Sequence, residues 1–151
     1  EVCYNISMEI LIHIEKKKLG TEYEKAVAEY IKRLSAFCRV KCIYYKDFSK
    51  LELQNSSACF RIVPGTDTIS SEEFAEKIEQ LGLSGYSRIE FVVADQNEAF
   101  ADTAAVYSLD TAKLPPFSLS GFTMSIDLTT VVLTEQLYRA YTILNHITYH
   151  K

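Results

Sequence analysis

The stretch RIEFVVA, residues 88–94, constrains the fold more than any other part of this sequence. Its nearly uninterrupted apolar run follows Gly85, a pattern typical of a strand buried on both faces of a parallel sheet. Further strands are predicted at EILIHI after Met8, at RVKCIYYKD from Arg39 and at ACFRIV from Ala58.

Helices are predicted between these strands. The segment TEYEKAVAEYIKRL carries apolar residues at spacings of three and four, with Thr21 as its N-cap and Glu24 in the capping-box position. A second helix begins at Ser70 and ends near Gly82, since glycine suits a helix C-terminus. Strands that alternate with helices predict a single α/β domain with a mostly parallel sheet.

The second half of the chain is expected to continue this pattern. The polar turn Asp95–Glu98 leads into AFADTAAVYSL, which is predicted to be helical, and the prolines at 115 and 116 end any helix. A short strand, LSGFTMSI, is predicted from residue 119. A final helix follows, with Asp127 as its N-cap.

Composition restricts the function classes. The 151-residue chain has a net charge of −4, which argues against a non-specific nucleic-acid binder with a broad basic face. No apolar run approaches the roughly 20 residues of a transmembrane helix. The opening EVCYNIS lacks the apolar core of a signal peptide. A cytoplasmic protein without a membrane partner is therefore predicted.

Metal-binding patterns are weak. The four cysteines form no C-x-x-C pair and only three histidines are present, so the cysteines are expected to be reduced and structural. Asp95, Glu98 and Asp102 are compatible with Mg²⁺, but acids favoured by a helix N-terminus explain them as well. No metal is therefore predicted.

The last segment, VVLTEQLYRAYTILNHITYHK, combines an apolar stripe with polar side chains. Core or dimer packing explains the stripe, which consists of Leu133, Leu137, Ala140, Leu144 and Ile147. Glu135 and Arg139 are four residues apart with the acid first, so an ordinary helix ion pair explains Arg139 without any function. An ordinary surface histidine likewise explains His150.

Several short motifs nonetheless occur in an order that resembles one enzyme family. They are AVAEYIKRL in the first helix, RIVPG and FVV in two strands, FSLSGFTM, VVLTEQLYRA and the terminal YHK. The chain resembles the bacterial large-subunit ribosomal RNA methyltransferase H family, small SPOUT-class enzymes that methylate N3 of a pseudouridine in 23S rRNA. The resemblance is strongest over residues 117–151. It marks residues 1–7 as an extension and residues 8–151 as one methyltransferase-like domain.

The resemblance implies an α/β knot, with the C-terminal segment threaded through a loop. It also implies a homodimer that binds S-adenosylmethionine and acts on 23S rRNA of the large ribosomal subunit. Backbone groups of three loops hold the cofactor in this family. By position, the implied cofactor-binding residues are Arg61, Ala94, Leu119, Ser120, Gly121, Phe122, Thr123 and Met124.

The same resemblance implies catalytic roles for Arg139, Tyr149 and His150. Methyl transfer depends mainly on in-line positioning, and the target nitrogen must lose its proton. His150 is the candidate base because imidazole titrates near neutral pH. Arg139 is a candidate to pair with phosphate or to stabilise the developing anion.

One loop departs from the family pattern. The segment ADQNE, residues 94–98, stands where the family has a glycine-rich G-G-x-x-G loop. Weaker cofactor binding is expected, because glycine permits positive φ and close approach to a ligand. This loop favours an alternative, a catalytically silent SPOUT-fold dimer that binds RNA or a protein partner. A generic flavodoxin-like binding domain is a third interpretation, but it leaves the C-terminal motifs unexplained.

Overall fold

A computed structural model describes residues 8–96 and 114–149. Five strands form one sheet in the order β2-β1-β4-β3-β5, and every paired neighbour is parallel. The predicted α/β fold with a mostly parallel sheet is therefore confirmed. The elements are β1 (Glu9–Ile14), α1 (Thr21–Leu34), β2 (Arg39–Tyr44), a short 3₁₀ helix (Phe48–Lys50), β3 (Ala58–Ile62), α2 (Ser71–Leu83), β4 (Arg88–Val93), β5 (Pro116–Phe117) and α3 (Ile126–Leu144).

The main core lies on one face of the sheet, beneath the three helices α1, α2 and α3. Four phenylalanines from β3, β4, β5 and α2 form its centre, with ring centroids 4.9 to 6.3 Å apart. They are Phe60, Phe74, Phe91 and Phe117. Five consecutive residues of β4 are buried, which confirms the prediction that this strand is covered on both faces.

The other face of the sheet contains a buried polar network. The imidazole of His13 on β1 lies between the Tyr45 hydroxyl, 2.7 Å from Nδ1, and the Glu90 carboxylate, 2.9 Å from Nε2. Burial lowers the pKa of His13, so the neutral ring accepts from Tyr45 and donates to Glu90. The backbone N–H of Gln54 donates to the second oxygen of Glu90 at 3.0 Å. The segment after β2 is thereby fastened over this face.

The helix starts differ from two of the predictions. Gly20, not Thr21, is the N-cap of α1, and no side chain caps it. Ser125, not Asp127, is the N-cap of α3, and its hydroxyl accepts from Leu128 N at 3.1 Å. The Asp127 carboxylate instead accepts from Gly20 N at 2.7 Å and from Lys16 Nζ at 2.5 Å. It therefore links the beginning of α3 to the beginning of α1.

The second helix also ends later than predicted. Ser70 is its N-cap and forms a complete capping box with Glu73. The helix continues through Gly82 to Leu83, and Gly85 then adopts φ +94°. Since this left-handed conformation favours glycine, Gly85 and not Gly82 is the residue that ends the helix.

Some predictions fall outside the described residues. These are the helix AFADTAAVYSL, the acids Glu98 and Asp102, and His150. Within residues 8–96 and 114–149, no group of three or more His, Cys, Asp or Glu side chains is arranged to hold a metal ion. None of the helices in these ranges is both long and apolar enough to cross a membrane.

Candidate active site

Three loops meet at one edge of the sheet. Because β4, β3 and β5 are parallel neighbours, the chain leaves all three strands at their carboxyl ends on the same edge. The segments that follow are Val63–Gly65, Ala94–Gln96 and Ser118–Met124. Ligands of open parallel sheets bind at this edge. The three loops that the family resemblance implies for cofactor binding are therefore neighbours in the fold.

Hydrogen bonds join these loops to one another. Gly65 N donates to Ser120 O at 3.2 Å, and Val63 N donates to Phe117 O at 3.1 Å. Met124 N donates to the side-chain Oε1 of Gln96 at 2.8 Å. Each loop is thus held to the segment 117–124 by at least one hydrogen bond.

The closest approach between two loops occurs at Gly65. A Cβ atom added at this position would lie 2.6 Å from the Ser118 hydroxyl, so any larger residue would displace Ser118. The corresponding atom at Gly121 would meet nothing nearer than Gly65 O at 3.6 Å, an ordinary contact. A larger residue at Gly65 would therefore require the Ser118 hydroxyl to move, whereas at Gly121 an alanine would fit.

The segment from residue 119 is a loop and not the predicted strand. The strand is instead Pro116–Phe117, at the edge of the sheet, where proline is tolerated. Leu119 packs against the main core and anchors the loop. Phe122 and Thr123 are exposed, Phe122 with 83 % of its surface accessible.

A cavity of about 210 Å³ lies between the first two loops. It is lined by Arg61–Pro64 and Ala94–Gln96. Small-molecule sites usually measure about 300–1,000 Å³, so this cavity is smaller than a complete small-molecule site. Arg61 directs its Nε–H to Leu114 O at 2.9 Å, which places the guanidinium at the edge of the cavity.

The backbone of the loop at Ala94 is unstrained as far as it is described. Among the described residues only His146 combines a side chain with positive φ, so Ala94, Asp95 and Gln96 all have ordinary backbone angles. Ala94 is buried in a cluster with Phe48 and Leu114. The expected conformational penalty for lacking glycine therefore does not arise at Ala94 or Asp95.

A second cluster lies further along α3. The Glu135 Oε1 atom accepts from Arg139 Nη2 at 2.6 Å and from Arg139 Nε at 3.0 Å. It also accepts from the Tyr149 hydroxyl at 3.1 Å. The Arg139 guanidinium lies 5.1 Å from the centroid of the Tyr149 ring, within cation–π range. The predicted ion pair exists, and Tyr149 shares its carboxylate.

A helix-ending motif folds the tail back onto this cluster. His146 adopts φ 54°, His146 N donates to Ile143 O at 3.2 Å, and Ile147 N donates to Thr142 O at 2.9 Å. This pair of bonds around a left-handed residue is a Schellman motif. It reverses the chain, so that the Tyr149 ring packs edge-on against Tyr138 with centroids 4.8 Å apart. The tail is held through Tyr149, its last described residue.

The raised pKa of Tyr149 makes its hydroxyl a hydrogen-bond donor. Burial, its hydrogen bond with Tyr30 and the charge of Glu135 together raise the pKa of Tyr149 to about 12. The phenol is therefore neutral at physiological pH and donates its proton to a hydrogen bond. It does not serve as a base.

The sequence matches one known protein family over nearly its whole length. A family model described as "Predicted SPOUT methyltransferase" matches residues 8–150. The chain belongs to the SPOUT methyltransferase family.

Individual relatives agree with this assignment to the SPOUT methyltransferases. The chain is 34 % identical over 146 residues to a protein of Thermoanaerobacter sp. (strain X514) named ribosomal RNA large subunit methyltransferase H 1, covering 95 % of this chain and 100 % of the relative. It is 31 % identical over 156 residues to ribosomal RNA large subunit methyltransferase H of Limosilactobacillus reuteri (strain DSM 20016), covering 89 % and 94 %. The protein of the same name in Acetivibrio thermocellus is 31 % identical, with the same coverage.

Sequence reasoning missed three residues that shape these two regions. The sequence predicts Glu135 only as the ion-pair partner of Arg139, yet Glu135 also accepts from Tyr149. Gln96 joins two loops that are 28 residues apart in the sequence. His146 supplies the reversal of the tail. Neither the Gln96 bond nor the left-handed histidine leaves a local sequence signal.

Proposed function

We propose that this protein transfers a methyl group from S-adenosylmethionine to N3 of a pseudouridine in 23S rRNA of the large ribosomal subunit. The observation that supports this most is the convergence of three loops, around Arg61–Gly65, Ala94–Gln96 and Leu119–Met124, at the carboxyl edge of the sheet. Its relatives carry names for methylation of large-subunit ribosomal RNA. The proposed location is the cytoplasm.

The loops offer what a nucleoside cofactor needs. Backbone amides and carbonyls supply its hydrogen bonds, and the apolar walls at Ile62, Val63 and Ala94 suit an adenine ring. Gly65 lets the first loop pack closely against Ser118, which shapes the loop beside the cavity. When bound, S-adenosylmethionine supplies an electrophilic methyl group. The chain's own task is then to position the accepting nitrogen and to remove its proton.

The cluster on α3 suits this second task. Arg139 is a fixed cation, held by two bonds to Glu135, and it stabilises negative charge as the target base loses its proton. Tyr149 is a neutral hydrogen-bond donor at physiological pH. We assign the acceptor of the proton to His150, the next residue in the chain, because histidine is the side chain that most often serves as a general base.

We infer that the active site is completed by a second copy of the chain. Met124, which is bonded to the pocket residue Gln96, is followed at Ile126 by α3, and Arg139 lies thirteen residues further along. At 1.5 Å per residue this is about 20 Å along the helix axis, too far for one substrate nitrogen to be reached from both within a single copy.

Part of the apolar stripe of α3 is unavailable to the proposed homodimer, because Leu133, Leu137 and Ala140 are fully buried in the core of their own chain. Phe122, Leu128 and the stripe residue Ile147 are 83 %, 40 % and 46 % exposed, and we propose that a partner covers apolar side chains such as these. The knot remains a prediction.

The experiment is methyl transfer from labelled S-adenosylmethionine to large subunits that lack the modification, followed by mapping of the labelled nucleotide. Label at a single pseudouridine of 23S rRNA is the expected result. A protein that binds the subunit but transfers no label would support the catalytically silent alternative. Arg139→Ala is the matched control, because it changes the cluster and leaves the pocket intact.

A further inference from the structure

We propose that Gln96 is a positioning residue for the cofactor, because its side chain clasps two loops of the pocket together. Its Oε1 atom accepts from Met124 N at 2.8 Å. Gln96 also lines the cavity that lies beside Arg61–Pro64. The cofactor part of this inference rests on the proposed function, and the clasp itself rests on the hydrogen bond.

The bond matters because Met124 lies directly before the beginning of α3. Met124 directly precedes Ser125, the N-cap of α3, so its N–H lies outside the hydrogen-bond ladder of that helix. Gln96 supplies an acceptor for this half-buried N–H. Fixing the Met124 peptide fixes the end of the loop that begins at Leu119, relative to the cavity residue Gln96.

The bond between Gln96 and Met124 differs in kind from the hydrogen bond that joins the loop at Gly65 to the loop at Ser120. Gly65 N bonds to Ser120 O through backbone atoms alone, so that link does not depend on side-chain identity. The link from the loop after β4 runs through a side chain. A glycine-rich loop has no side chains with which to form such a link. Gln96 thereby gives this chain its own means of holding the loop after β4 in place.

The test compares two substitutions of similar size. Gln96→Leu removes the acceptor, and Gln96→Glu keeps it. Since a neutral hydrogen bond contributes about 0.5–1.5 kcal/mol, we expect Gln96→Leu to raise KM for S-adenosylmethionine roughly three- to tenfold, with kcat unchanged. Gln96→Glu should remain close to the wild type. Gln80→Leu, at an exposed position on α2, is the control for adding a leucine to the surface.

A second readout does not depend on the cofactor. Hydrogen exchange at the Met124 amide should be slow in the wild type and several-fold faster in Gln96→Leu. Unchanged exchange would overturn the clasp. Faster exchange with an unchanged KM, or with tighter cofactor binding, would overturn its positioning role. A protected Met124 amide in a protein that binds no S-adenosylmethionine would support the clasp and overturn the proposed function.

Discussion

The pocket at the sheet edge and the cluster on α3 are built from different parts of the chain. The pocket is formed largely by backbone, with Gly65 N bonded to Ser120 O and Val63 N bonded to Phe117 O. The cluster is formed by side chains, with the carboxylate of Glu135 accepting from both Arg139 and Tyr149. A backbone site depends on shape, whereas a side-chain site depends on functional groups.

This difference predicts how each region responds to substitution. At the pocket, an added methyl group matters where two backbones approach, as at Gly65, and matters little where space remains, as at Gly121. At the cluster, replacing a functional group matters even when the volume is conserved. The pocket should therefore govern cofactor affinity, and the cluster should govern the rate of the chemical step.

The largest expected effect is that of Arg139→Ala. The variant loses the fixed cation, and loss of such a group from the transition state lowers rates by about 10²–10⁴-fold. Cofactor binding should be unchanged, because Arg139 does not line the pocket of its own chain and its proposed role is toward the target base. Single-turnover methyl transfer and equilibrium binding of S-adenosylmethionine measure the two quantities separately. Equal loss of both would mean that the regions are not separable.

Mixed dimers test whether the two regions act across copies of the chain. A pocket variant, Gly65→Val, and Arg139→Ala should each be inactive alone. Random exchange makes half of the dimers mixed, each with one intact composite site, so about a quarter of wild-type activity should return. A site contained within one chain would give no recovery. Wild-type protein treated in the same way controls for losses during exchange.

A smaller effect is expected for Gly65→Ala. Its new methyl group must displace the Ser118 hydroxyl, so KM for S-adenosylmethionine should rise by roughly tenfold, an effect of about 1.4 kcal/mol. Gly121→Ala is the matched control and should behave as the wild type. Replacing the serine as well, in Gly65→Ala with Ser118→Ala, leaves only the Cβ at 3.4 Å and should restore much of the affinity. Absence of rescue would contradict the packing explanation.

The smallest effect is expected for Tyr149→Phe. This change removes the bond to Glu135 but keeps the ring against Tyr138 and beneath Arg139. The rate should fall a few-fold, and the melting temperature should barely change, because substitutions near the surface usually shift stability by about ±0.5 kcal/mol or less. Truncation after Thr148 removes the ring and His150 as well, and should abolish activity at a similar melting temperature. A truncated chain with full activity would show that the tail is dispensable.

The sheet could be predicted from sequence because its signal is local. The apolar run of β4 and the alternation of strands with helices fix the fold class, and both are visible within short windows. The errors at Thr21 and Asp127 have a common cause. Asp127 has the right side chain for an N-cap, but its carboxylate is used by Gly20 N and Lys16, more than 100 residues away in the sequence. Capping rules consider only residues that are close in the sequence, so they do not detect such partners.

The candidate site was less predictable than the fold, because its cluster is built from side chains and its pocket largely from backbone. Arg139 and Tyr149 have distinctive side chains that a motif can mark. The pocket region uses backbone groups such as the N–H of Val63 and the carbonyl of Ser120, and these residue types reveal nothing about a ligand. Resemblance to a family located these loops, and geometry alone revealed the bond between Gln96 and Met124.

Calorimetric titration of the full chain with S-adenosylmethionine measures whether the pocket at the sheet edge binds the cofactor. We expect saturable binding of one cofactor molecule per chain, weakened in Gly65→Ala and unchanged in Arg139→Ala. Absence of binding at millimolar cofactor by the folded wild-type protein would contradict this expectation. So would binding that is lost in Arg139→Ala and retained in Gly65→Ala.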